Sequence, residues 1–118
     1  MLVLYTYAGC DSCRKAIKWL ESRGHLFENR PIRETPPSLD ELRLMLGYYG
    51  GEFRKLFNVS GQDYRRMNLK ELLPGMSEGA AIELLGGNGN LIKRPFALGE
   101  GWGRVGFKES EWEVLLAD

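Results

Sequence analysis

Cys10 and Cys13 are the chain's only cysteines, and they stand three positions apart in Cys10-Asp11-Ser12-Cys13. That spacing suits thiol–disulfide exchange. On the first turn of a helix, the first thiol of such a pair meets unpaired backbone N–H groups and a partial positive charge, which favour thiolate over thiol. The second thiol, one turn further on, can attack a mixed disulfide at the first and release the partner. Arg14 and Lys15 add positive charge directly after the motif, whereas Asp11 opposes a neighbouring thiolate through like charge. The plain alternative is a pair of small buried hydrophobes at a strand–helix junction. A zinc site would need carboxylates or a second subunit, because the chain has no further cysteine and a single histidine, His25.

The flanking sequence supplies elements that would hold the pair in place. Residues 2–7 are apolar on both faces and predict a buried strand. Ala16, Ile17, Trp19 and Leu20 recur at helical spacing between Ser12 and Arg23, with Gly24 as a left-handed end. His25 to Arg30 predicts a second strand, so a βαβ unit begins with the cysteines. His25 then lies at the far end of the helix from Cys10, too distant to act as its base. Beyond Pro36-Pro37, Ser38 and Glu41 form a capping box ahead of Leu39, Leu42, Met45 and Leu46. Gly50-Gly51, the turn Asn58 to Gly61, and Pro74 divide the following helical pieces, Glu52 to Phe57 and Asp63 to Leu73. Ser77 caps another helix that a Gly-Asn turn closes. Residues 95–98 and 104–107 bracket a Gly-rich turn as a hairpin does, and a last helix from about Glu109 to Leu116 turns Trp112, Leu115 and Leu116 inward. Trp19 and Trp102 are expected as core or interface aromatics, and Tyr48-Tyr49 as helix-end packing. Lys93 and Arg104 are expected in solvent.

The chain has 118 residues, 43% hydrophobic and 27% charged, and sixteen Lys+Arg balance sixteen Asp+Glu. One globular domain of ordinary size is expected. The zero net charge argues against a domain-wide grip on nucleic acid, and Tyr64-Arg65-Arg66 is too small a patch to supply one. The apolar runs are far too short to span a membrane, and the N-terminus has no signal-peptide pattern. Two isolated cysteines fit a reducing compartment, and the cytoplasm is the expected location.

These residues resemble the arsenate reductase (ArsC)/Spx family of the thioredoxin-like superfamily. The resemblance rests on Tyr5-Thr6-x-x-Gly9-Cys10-x-x-Cys13-Arg14-Lys15-Ala16, on Phe57-Asn58-Val59-Ser60-Gly61-x-x-Tyr64-Arg65, on Leu91-Ile92-Lys93-Arg94-Pro95, and on Val105-Gly106-Phe107. It implies an α/β fold: a thioredoxin-like β-α-β…β-β-α sheet with a helical insertion, about residues 38–86, between the second and third strands. It also implies that Cys10 is the nucleophile. Arg94 falls on the arginine that helps arsenate reductases hold their oxyanion, and Pro95 on the cis-proline that faces the cysteine motif. The alternative for Arg94 is a surface arginine that happens to precede a proline. Two departures count against arsenate. Ser60 replaces the arginine of the reductases' Asn-x-Arg loop, and near Phe107 only Lys108 offers charge where they carry a third arginine. Those reductases also lack the second cysteine, present here as Cys13. Spx-type regulators carry Cys-x-x-Cys as a redox switch while contacting RNA polymerase. The chain is most similar to reductase-like members with Cys-x-x-Cys and Asn-x-Ser-Gly.

The resulting expectation is a monomeric cytoplasmic thiol–disulfide oxidoreductase acting on a small-molecule or protein disulfide. Cys10, Cys13 and Arg94 are its candidate catalytic residues; Ser12, Ser60 and Pro95 are its candidate substrate contacts. Glutathione or thioredoxin would serve as reductant, with no bound cofactor or metal. The rivals are an Spx-like regulator that binds RNA polymerase, an arsenate reductase, and a redox-inactive structural member.

Overall fold

The structure, a computed structural model, describes residues 1–117. Strand β1 (Leu2–Thr6) lies inside a four-stranded sheet of order β2-β1-β3-β4, which is why both of its faces are apolar. It pairs in parallel with β2 (Phe27–Pro31) across α1 (Asp11–Ser22), and antiparallel with β3 (Phe96–Leu98). β3 in turn pairs antiparallel with β4 (Gly103–Val105), and α6 (Glu109–Leu115) closes the chain. The order is the β-α-β, insertion, β-β-α pattern that the sequence predicts.

Side chains on successive strand residues point to opposite faces, and β1 divides the core accordingly. Leu2 and Leu4 join Ala16, Trp19, Leu20, Ala97 and Trp112 on the α1/α6 side. Tyr5 faces the other way, with Phe96 and Leu98, toward the insertion. The same alternation carries Tyr7 to the insertion side, where it packs at the edge of that core.

The insertion holds α2 (Leu39–Tyr48), α3 (Gln62–Arg66), α4 (Leu69–Leu72) and α5 (Glu78–Gly87), joined by three short 3-10 turns. The capping box at Ser38 and Glu41 is present in full. Glu41 also accepts a 2.7 Å hydrogen bond from the Tyr5 hydroxyl, which accepts one of 2.8 Å from Arg30. That chain ties the start of α2 to β1 and β2.

Several boundaries differ from the sequence expectation. Pro74 does not stop a helix; it sits inside the 3-10 turn Leu73–Gly75, near its start, where a missing N–H costs nothing. The insertion extends past residue 86 through a further 3-10 turn, Gly89–Leu91. A Cβ on Gly89 would lie 2.0 Å from the Ile32 carbonyl oxygen, so only glycine lets this turn press against the backbone after β2. Gly24 does end α1 in the left-handed region, at φ +72°. On α6 only Trp112 is fully buried, whereas Leu115 and Leu116 are half-buried, because the last turn runs out over the edge of the sheet's α1 side. Among the described residues no helix is long and apolar enough to cross a membrane.

Candidate active site

Cys10 is the N-cap of α1, and its Sγ accepts the Cys13 backbone N–H at 3.2 Å. The sulfur therefore takes the place that a Ser or Asp oxygen usually fills at a helix start. The Cys10 backbone N–H is donated to the Tyr7 carbonyl at 3.1 Å, which holds the turn between β1 and α1 in position. Cys10 is half-buried and Cys13 is 1% exposed, and both are unpaired thiols. Access is therefore graded as exchange requires: the first sulfur can meet a partner, and the second is reached from within.

Burial, and next its hydrogen bond to Cys10, push the Cys13 thiol up to about 12; a backbone hydrogen bond from Tyr7 and the charge of Arg94 act against this rise. Cys13 thus rests as a neutral thiol at physiological pH. An unfolded thiol ionises near ~8.5, so between there and about 12 the folded chain keeps a proton that the unfolded chain has released. The stability from burying neutral Cys13 is complete below the unfolded value and is lost as pH rises through that window. Tyr5, raised by burial and by Glu41, adds a fall of the same sign at higher pH. Urea midpoints are expected to drop between about pH 8 and pH 11, and Cys13→Ala should flatten the slope. An unchanged slope in that variant would place the effect elsewhere.

Asp11 does not face the thiols as a bare charge. It pairs with Arg14, which also donates to the Ala8 carbonyl at 2.7 Å. The positive charge the sequence places beside the motif is thus partly spent on Asp11 and on the approach loop.

The Arg94–Pro95 peptide is cis, and Pro95 is buried with its carbonyl accepting the Gly106 N–H at 2.9 Å. Arg94 is half-buried and lines a cavity of about 380 Å³ together with Ser12, Lys93, Phe107 and Lys108. Two of the sequence candidates, Ser12 and Arg94, are therefore brought together beside the Cys10 end of α1. Lys93 is exposed as expected but forms part of this wall, and Arg104 is half-buried with Nη1 on the Gly103 carbonyl at 3.0 Å. Ser60 is exposed on the turn before α3 and lines neither cavity that Arg94 lines. His25 stacks on Trp19 at 5.8 Å at the far end of α1. Tyr49 packs at its helix end, its hydroxyl accepting the Val105 N–H at 2.9 Å. Among the described residues no group of three or more His, Cys, Asp or Glu could hold a metal ion.

Sequence reasoning missed Tyr7, Arg33 and Arg66. Arg33 and Arg94 both place guanidinium carbons over the Tyr7 ring, at 4.7 and 5.2 Å. The signal available was the outward alternation of β1, which predicts that Tyr7 shares the face of Tyr5.

The comparison with known proteins then decides the family. The model of the ArsC family matches residues 5–115. The chain belongs to the ArsC family. Protein YusI of Bacillus subtilis is 46% identical over 95% of this chain and 95% of its own length. The global transcriptional regulator Spx of Listeria innocua is 31% identical over 98% of this chain and 87% of its own. The crystal structure of an ArsC-family-related protein from Bacteroides fragilis superposes with a TM-score of 0.91 at 38% identity, covering 97% of this chain and 96% of that one. The thioredoxin-like fold of ArsC proteins, with its insertion, is the fold described above.

Proposed function

We propose that this ArsC-family chain is a thiol–disulfide oxidoreductase. The observation that carries the reading is the Cys10 Sγ at the cap of α1, accepting the Cys13 N–H, with the Cys13 thiol buried behind it. The Cys10 thiolate attacks one sulfur of a disulfide; a Cys10 mixed disulfide forms and the other half leaves as a thiolate. Cys13 loses its proton and attacks the Cys10 sulfur, which forms the Cys10–Cys13 disulfide and expels the second thiolate. The pair has then given two electrons to the substrate, and an external thiol, glutathione or thioredoxin, restores the dithiol. Arg94, between Ser12 and the thiols' cavity wall, orients an anionic group of the substrate such as a carboxylate.

The burial of Cys13 also explains the order of events. A neutral resolving thiol does not compete with Cys10 for the incoming disulfide, and it reacts once a sulfur partner stands beside it. Cys13→Ser is therefore expected to trap a mixed disulfide on Cys10. Mass spectrometry after glutathione disulfide should show one added glutathione per chain, against none retained by the wild type. An untrapped variant would sink the resolving role.

The cavity at Ser12 contains one guanidinium, that of Arg94, and arsenate reduction is not part of this reading. A second reading has specific support: the match to a global transcriptional regulator extends along 98% of the chain. In that reading the same disulfide changes conformation and the partner is RNA polymerase. Retention of polymerase on the immobilised chain, together with absent turnover of disulfides, would favour it. The cytoplasm, where thiols are kept reduced, is the compartment both readings require.

A further inference from the structure

Three arginines from separate stretches of chain converge behind the tyrosine that leads into the cysteine motif. Arg33 lies in the turn after β2, Arg66 ends α3, and Arg94 precedes β3. With Tyr7, Asn58 and Asp63 they line a cavity of about 490 Å³ on the insertion side of the sheet. Long-range contacts build it. The glycine-only approach of Gly89 to Ile32 sets the backbone of Arg33, and hydrogen bonds Asn58 N–H to Leu91 (2.7 Å) and Lys93 N–H to Leu56 (2.8 Å) lay the Asn58 turn beside Arg94.

The charges in this cavity are not balanced. Asp63 is its one carboxylate against three guanidiniums, which leaves two positive charges in excess. Asp63 accepts the side-chain amides of Asn88 and Asn90 at 3.0 and 3.3 Å and faces Arg66 at 3.8 Å. Among the described residues Arg33 and Arg94 have no ion pair, and Arg94 Nη1 is buried without a hydrogen-bond partner. A buried guanidinium N–H is costly unless something accepts it. The Tyr7 ring holds both guanidiniums by cation–π contact and so orders them without occupying their donors.

We propose that this cavity binds a phosphate-class dianion, free or as the end of a phosphate monoester, separately from the cavity beside Ser12. A planar carboxylate is satisfied by one guanidinium fork, whereas forks arriving from three elements suit a tetrahedral group with three or more acceptor oxygens. The excess of two positive charges matches the roughly −1.5 to −2 that such a group carries near neutral pH. Because Arg94 lines both cavities, the bound anion engages the residue that would otherwise orient substrate at the thiols. This binding does not depend on the redox reading, since no sulfur takes part.

The test is calorimetric titration of the full chain, carrying Cys10→Ser so that no thiol chemistry contributes, with inorganic phosphate and with ribose 5-phosphate at constant ionic strength. Saturable one-to-one binding is expected on the order of 1 mM or tighter. Arg33→Ala and Arg66→Ala, both at exposed positions, should each weaken it at least about tenfold, the effect of losing one charged hydrogen bond. Lys93→Ala and Lys108→Ala should leave it unchanged. Equal affinity for the two probes would assign the site to the free anion, and tighter binding of the ester would assign it to a monoester. No saturable binding of either probe would overturn the proposal. So would unchanged affinity in the Arg33 and Arg66 variants, or loss in the lysine variants instead.

Discussion

Replacing Cys10 with serine is expected to lower the turnover of disulfide substrates by about 10³-fold or more, because a serine hydroxyl is a weak nucleophile without an adjacent base. Nothing in the surroundings supplies that base. His25 is at the far end of α1, and the charged neighbour Asp11 is paired with Arg14. The fold should survive the change, since serine is a good N-cap and its oxygen can accept the Cys13 N–H that the sulfur now accepts. The comparison to make is steady-state reduction of a disulfide by wild type and Cys10→Ser at matched melting temperature. Loss of rate without loss of stability supports Cys10 as the reacting group. Retained rate would transfer the nucleophile to Cys13 or remove the activity from the pair altogether. Cys13→Ser gives a different signature, a trapped adduct, so the two variants together separate attack from resolution.

The largest effect on stability is expected at Trp112. It is 0% exposed and meets three aromatic rings nearly edge-on, those of Trp19 at 6.3 Å, Trp102 at 6.2 Å and Phe107 at 5.0 Å. Trp112→Ala removes the centre of that cluster and leaves a void that four elements cannot close. The expected cost is about 3–5 kcal/mol, or roughly 10–20 °C in melting temperature for a domain of this size. The Trp112 Nε1–H is buried without a partner, so Trp112→Phe should cost less than its volume change alone suggests. Phe107 belongs both to this cluster and to the wall of the Arg94 cavity. Trp112→Ala is therefore expected to weaken substrate binding at temperatures where the chain is still folded. A loss below about 1 kcal/mol by urea titration would mean that the α1/α6 side repacks around the void.

Much of this was legible before the tertiary structure, and each legible part was local. A capping box needs only Ser38 and Glu41, a left-handed helix end only Gly24, and both are found where the residues predict them. The cysteine motif reads the same way, since three positions on a helix start bring Cys10 Sγ to the Cys13 N–H whatever the rest of the chain does. The family and its sheet order followed from motifs spread along the chain, in agreement with the match over residues 5–115. The errors were local as well. Pro74 reads as a stop, yet near the start of a 3-10 turn it loses no hydrogen bond, and helical periodicity cannot tell Leu115 and Leu116 at a frayed edge from a core face.

By itself, the sequence determined that two thiols sit at the start of a helix beside a central strand, because hydrogen bonds within a few residues enforce that geometry. Only the tertiary structure decided which charges surround them. The burial that keeps Cys13 neutral comes from packing across the sheet. The pairing of Tyr7 with Arg33 and Arg94 depends on a glycine-only contact between residues 32 and 89. Arg33, Arg66 and Arg94 carry no mutual spacing that a periodicity could reveal. They share a cavity because the insertion folds back on the sheet, and long-range packing of that kind is not written in any local pattern of residues.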